Sequence, residues 1–139
     1  MDGSAGRAVQ APLCAAFDGG PGTCAHARES AAAFLAALSA GTPASDDGAA
    51  DKVLLVVSEL VTNAVRHAPG PVVLTLSASP AGVRIAVRDT STALPVPRTP
   101  DLVSGSGGFG WPAIIRRLAT RIDVVTHPGG KEIHATMPW

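Results

Sequence analysis

The sequence contains no tyrosine, and only three phenylalanines and two tryptophans among its 139 residues. That leaves little material for the aromatic platforms on which unpaired bases stack. Charge of one sign is also lacking. Eleven basic side chains cancel eleven acidic ones, so no overall field draws the chain toward nucleic acid or an anionic lipid surface. Cysteine is nearly absent: Cys14 and Cys24 have no C-x-x-C partners and are too few for a disulfide scaffold, which leaves them readable as free thiols of a reducing compartment. No run approaches the ~20 apolar residues of a membrane span, and Met1-Asp2-Gly3-Ser4 does not open a basic-then-apolar leader. The expectation is a soluble, cytoplasmic protein.

What is present is apolar: 46% hydrophobic residues against 16% charged, a balance that excludes disorder over the whole chain. The length suits one domain over residues 11–139 behind a disordered tail at 1–10. A short strand at Pro12 to Phe17 ends in the breaker run Asp18-Gly19-Gly20-Pro21-Gly22. A helix capped by Thr23 follows to about Leu38, its apolar stripe formed by Ala31, Phe34, Leu35 and Leu38. A second helix spans about Ala49 to His67 and is apolar on nearly every side, the mark of a buried helix. Strands at Val72–Ala78 and Val83–Asp89 flank the turn Pro80-Ala81-Gly82. Residues 90–110 carry three prolines and no period and end in a glycine run, which reads as a lid. A third helix from Trp111 and two strands, 121–127 and 132–137, complete the order β-α-α-β-β-lid-α-β-β. This is an α+β arrangement: a two-layer sandwich with a mostly antiparallel mixed sheet and about three helices on one face.

Within the second helix Glu59, Asn63 and His67 stand four residues apart and form one narrow polar line. Such a line is either a solvated face or the border of a cavity, and its narrowness on so apolar a helix favours the cavity. Glu and Asn oxygens suit a hard cation such as Mg²⁺, which keeps waters and leans on substrate phosphates. No second His or Cys stands at the spacing zinc requires. Gly105, Gly107 and Gly110 match G-x-G-x-x-G, but a proline-rich loop precedes them and a hairpin follows the helix, so the dinucleotide-binding context fails. The run remains readable as a flexible hinge or as an anion-binding helix entry. Asp89 closes its strand just before the lid, where a carboxylate is readable either as an ordinary turn residue or as an acceptor for an exocyclic amine.

Taken in order, these features resemble the Bergerat ATP-binding fold of gyrase, heat-shock chaperone, histidine kinase and MutL proteins. The stretch Glu59-Leu60-Val61-Thr62-Asn63-Ala64-Val65-Arg66-His67-Ala68 resembles the N-box of its stand-alone bacterial branch, the anti-sigma-factor serine/threonine kinases of actinobacterial type. The resemblance covers about residues 23–138 and implies ATP and Mg²⁺ as cofactors. It implies that Asn63 holds the metal, that Glu59 acts as general base toward a partner's serine or positions a water, and that Asp89 binds the adenine amino group. Gly105, Gly107, Gly108 and Gly110 would shape the lid around the phosphates, with Arg66 and His67 near the phosphate end. The implied function is sequestering a sigma factor and phosphorylating an antagonist protein on Ser or Thr, with a homodimer through a sheet edge as a further expectation. A non-catalytic protein-binding module with a degenerate nucleotide site is the alternative. Two departures bear on that choice. The family's Asp-x-Gly-x-Gly reads Asp89-Thr90-Ser91-Thr92-Ala93 here, and Glu132 follows Gly130-Lys131 where the family often has Thr, which puts a second carboxylate near Asp89.

Overall fold

Alternate side chains of each strand face the same way, and burial along the sheet follows that alternation. The computed structural model describes residues 10–67, 70–91 and 110–139, without the side chains of 110–112. Residues 1–9 of the expected disordered tail and all but the margins of the expected lid, Gly105, Gly107 and Gly108 included, lie outside the described residues. Strands β1 (Leu13–Phe17), β2 (Val72–Ser79), β3 (Gly82–Asp89), β4 (Arg121–His127) and β5 (Gly130–Met137) form a five-stranded sheet in the order β1-β2-β3-β5-β4. Every pairing is antiparallel. The mixed character expected from the sequence is therefore corrected to a fully antiparallel sheet among the described strands, because each of its neighbours runs in the opposite direction.

Helices α1 (Thr23–Gly41), α2 (Ala49–His67) and α3 (Gly110–Leu118) supply the second layer. Val72, Leu74 and Leu76 of β2, Val83, Ile85 and Val87 of β3, and Ile133, Ala135 and Met137 of β5 share one buried cluster with Phe34, Leu35, Val53, Val57, Leu60 and Ile115 of the helices. Each large apolar side chain so buried stabilises the fold by roughly 1.5–3 kcal/mol. Arg84 and Arg88 alternate with the buried residues of β3 and are exposed on the opposite face. On that face the Arg84 guanidinium donates to His134 Nδ1 at 3.2 Å from Nε, and His134 Nε2 stands 2.6 Å from Glu132 Oε1.

Local chemistry moves three boundaries from their expected positions. Thr23 is not the cap of α1 but its first helical residue, and it is buried. Gly22 caps the helix instead at φ 88°, a backbone conformation that glycine reaches without a Cβ penalty. The β2–β3 turn is the pair Pro80-Ala81, with Gly82 already in β3. The last turn shrinks likewise to Pro128-Gly129, so that Lys131 belongs to β5.

Gly82 combines φ +128° with a close approach: a Cβ there would stand 2.0 Å from the carbonyl oxygen of Met137. Gly82→Ala is expected to destabilise the protein by at least about 1–3 kcal/mol from backbone strain alone. Urea unfolding measures this, and an unchanged midpoint would contradict the tight crossing of β3 and β5.

Candidate functional site

The polar residues of α2 fall into two groups. Ser58 and Thr62 face partners: Ser58 Oγ donates to the Leu54 carbonyl at 2.9 Å, and Thr62 Oγ1 lies 3.4 Å from Cys24 Sγ on α1. Residues of the Glu59–Asn63–His67 line have no such side-chain partners among the described residues. Glu59 is half-buried, and its carboxylate makes neither a hydrogen bond nor an ion pair among the described residues. Asn63 is half-buried too, but its Nδ2 is wholly buried and unpaired, one of two such side-chain atoms among the described residues. A buried amide without a partner costs about 1–3 kcal/mol. Arg66 and His67, in the last turn, are exposed.

Strand register shows where this helix leads. Only residues 68–71 separate His67 from Val72. Val73 pairs with Arg88, which sets the start of β2 beside the end of β3. The C-terminal turn of α2 and Asp89 therefore belong to the same end of the sheet. Gly70 touches the strand end there, since a Cβ on it would lie 3.3 Å from Thr90 Oγ1. Gly19 is packed against Gly70 in turn, its own Cβ position 2.1 Å from the Gly70 carbonyl oxygen. Gly110, the only glycine of the run within the described residues, is the first residue of α3.

Asp89 is buried on the helix-bearing face, as the alternation Val83, Ile85, Val87, Asp89 requires. Its Oδ1 accepts from the Ser91 backbone N–H at 2.9 Å, and its Oδ2 accepts from Lys131 Nζ at 2.8 Å. The two side chains are only 3% and 7% exposed, whereas the other ion pairs of the described residues are more open to solvent. Lys131 is the direct cross-strand partner of Asp89. The expectation of a second carboxylate near Asp89 is corrected by the same register. Glu132 points to the opposite face and meets His134, so an ammonium stands beside Asp89 and not another acid.

Gly130 permits this proximity, because a Cβ there would fall 2.0 Å from the Asp89 carbonyl oxygen. Lys131 is the residue that sequence reasoning missed. Its signal was parity: Lys131, Ile133, Ala135 and Met137 are two apart, and extending the final strand back past Glu132 would have turned the lysine inward with the core.

The arrangement sets an unengaged carboxylate, an amide with an unmet hydrogen-bonding need and a buried charge pair around one helix and one sheet end. Among the described residues no group of three or more His, Cys, Asp or Glu could hold a metal ion, and no helix is long and apolar enough to cross a membrane.

Comparison with known proteins places this geometry in a family. Residues 20–137 match the family described as the histidine kinase-like ATPase domain. No curated protein matches the chain in sequence. Among solved structures, the RsbU and RsbW domains of Rv1364c from Mycobacterium tuberculosis are similar at 19% identity and a TM-score of 0.64 over 92% of this chain. This chain spans only 33% of the length of that one. The histidine kinase AdeS of Acinetobacter baumannii is similar at 17% identity and a TM-score of 0.52, over 91% of this chain and 67% of that one. At such identities these likenesses speak for the fold, and the fold agrees with the sequence match. With most of its length covered by that match, and an α+β structure of the ATP-binding type, the chain belongs to the histidine kinase-like ATPase domain family.

Proposed function

We propose that this protein is a nucleotide-dependent regulator that binds Mg-ATP at the α2–β3 end of the sheet. In this reading it sequesters a sigma factor and transfers phosphate to a serine or threonine of an antagonist protein. The observation that carries the reading is the contrast along α2. Ser58 is satisfied within the helix and Thr62 by Cys24 of α1, whereas Glu59 has no partner among the described residues and Asn63 Nδ2 is buried and unpaired. A helix retains such a line where an incoming ligand completes it.

The residues fit the cofactor. An amide offers an oxygen for a hard cation and N–H donors for phosphate oxygens, and Mg²⁺ is held by few protein groups plus substrate phosphates. Asn63 would hold the metal, with Arg66 and His67 near the phosphate end. Gly105, Gly107, Gly108 and Gly110 would shape the lid around the phosphates. Asp89 would read the base. When bound, Mg-ATP supplies the electrophilic phosphorus and neutralises charge as transfer proceeds. Glu59, free of any competing ion pair, is the group able to hold the proton given up by an acceptor hydroxyl.

Titration calorimetry with Mg-ATP tests the reading: saturable heat is expected, and Asn63→Ala should weaken binding by about tenfold or more, the loss of one charge-assisted contact. The alternative, a protein-binding module with a degenerate nucleotide site, draws on the engagement of both Asp89 oxygens. It is the outcome if millimolar Mg-ATP gives no heat. Because β1 and β4 are the outer strands of the sheet among the described residues, self-association through an edge belongs to the same proposal; light scattering at micromolar concentration should give a dimer mass, and a monomer would remove it.

A further inference from the structure

The charge pair at the end of β3 carries more than a structural tie. An ammonium has three N–H donors. The buried Lys131 ammonium spends one on Asp89, and the others have no partner among the described residues. Asp89, with its two observed bonds, also keeps lone pairs in reserve. Lys131 Nζ and both Asp89 oxygens each have one partner, so the pair is satisfied as it stands and still has capacity for further hydrogen bonds. Spare donors and spare acceptors thus lie side by side, 2.8 Å apart, in the position where the proposed function places the base.

That pairing changes what the base edge meets. A carboxylate alone offers acceptors only. It suits the amino group at position 6 of adenine and repels a carbonyl oxygen there, which would leave two acceptors facing each other. An ammonium beside the carboxylate removes the repulsion. A 6-oxopurine presents an oxygen with two lone pairs for the spare Lys131 donors and, next to it, a ring N1–H for Asp89. Adenine is accommodated by the same pair, with its amino group on the carboxylate and ring N1 on the ammonium.

We infer that Lys131 is a specificity-determining residue and that this site accepts guanine and hypoxanthine nucleotides as well as ATP. The inference rests on the nucleotide-binding reading of the α2–β3 end. Its mechanism is the conversion of an acceptor-only wall into one that both donates and accepts. Sites with fixed hydrogen-bond complements reject the mismatched partner because buried groups are left unpaired, so the complement sets the preference.

Calorimetry on the full chain with the magnesium complexes of ATP, GTP and ITP decides the matter. GTP and ITP are expected to bind within about fivefold of ATP, less than the penalty of a single unpaired buried group. ITP, which lacks the 2-amino group, should match GTP, because the oxygen and N1–H are what the pair reads. The triphosphate of unsubstituted purine, with nothing at position 6, should bind about tenfold more weakly than ITP. Lys131→Thr should weaken ATP, which loses its ring N1 contact, and should weaken GTP and ITP at least about tenfold more than ATP, because their 6-oxygen then faces the carboxylate alone. Should that variant fail to fold, the unmodified chain with the four nucleotides still gives the answer. Binding of ATP without GTP or ITP would overturn the inference and leave the nucleotide site standing. Binding of none would remove both.

Discussion

Glu59→Gln is expected to lower phosphoryl transfer to a partner hydroxyl by about 10²–10⁴-fold, the usual contribution of a positioned general base. The substitution keeps the size and shape of the side chain and removes only its ability to hold a proton. Among the described residues Glu59 has no ion pair or hydrogen bond to lose, so unfolding in urea should shift by no more than about 0.5 kcal/mol. Nucleotide affinity should change little, because the proposed contact to the cofactor belongs to Asn63. Radiolabel transfer from ATP to an antagonist protein measures the first effect, and calorimetry the second. Transfer that survives the substitution removes Glu59 as the base. Transfer and binding lost together would show that the side chain supports the nucleotide and not the proton.

The second large effect concerns stability. Lys131→Met leaves Asp89 buried at 3% exposure without its counter-charge. Removing one member of a buried pair costs about 3–5 kcal/mol, because a lone charge remains in a poorly solvated site. That is a sizeable share of the ~5–15 kcal/mol by which domains of this kind are stable. The double variant Asp89→Asn with Lys131→Met takes away both charges and keeps an acceptor for the Ser91 N–H, so most of the loss should return. Urea unfolding of the two variants makes the comparison. A single variant costing under about 1 kcal/mol would equate this pair with exposed ones, which are worth 0–1 kcal/mol. Deletion of the exposed Lys52–Asp46 pair, its side chains 49% and 57% exposed, is the natural control.

The parts of the fold that could be read from the residues are those governed by long repeating patterns. The apolar run of α2 and the stripe Ala31, Phe34, Leu35, Leu38 of α1 each extend over several turns, and burial follows them residue by residue. Val83, Ile85 and Val87 declared their face by simple alternation. Turns were harder, because Gly82 and Gly130 look like loop residues in a sequence. In the fold each is a strand residue whose missing Cβ admits a neighbouring carbonyl. Placing Gly130-Lys131 in a turn hid the parity of β5, and with it the lysine opposite Asp89. The same slip assigned Glu132 to the wrong face. Glu59 and Asn63 were singled out by spacing alone. Spacing could not show that Ser58 and Thr62, their immediate neighbours, would be satisfied and they would not. For Thr62 that distinction depends on Cys24, which lies 38 residues away in the chain and beside it in space.

The last strand in chain order, β5, lies between β3 and β4 and not at a margin of the sheet. A chain emerging from the ribosome therefore presents β3 with one side unfilled until residue 137 has been made. The β4–β5 hairpin can close locally, but it must then dock as a unit onto a strand synthesised some forty residues earlier. Through that interval a bare strand edge is available to any other nascent chain, the circumstance in which chaperones earn their place. Truncation before β5 should accordingly yield inclusion bodies rather than a smaller folded protein.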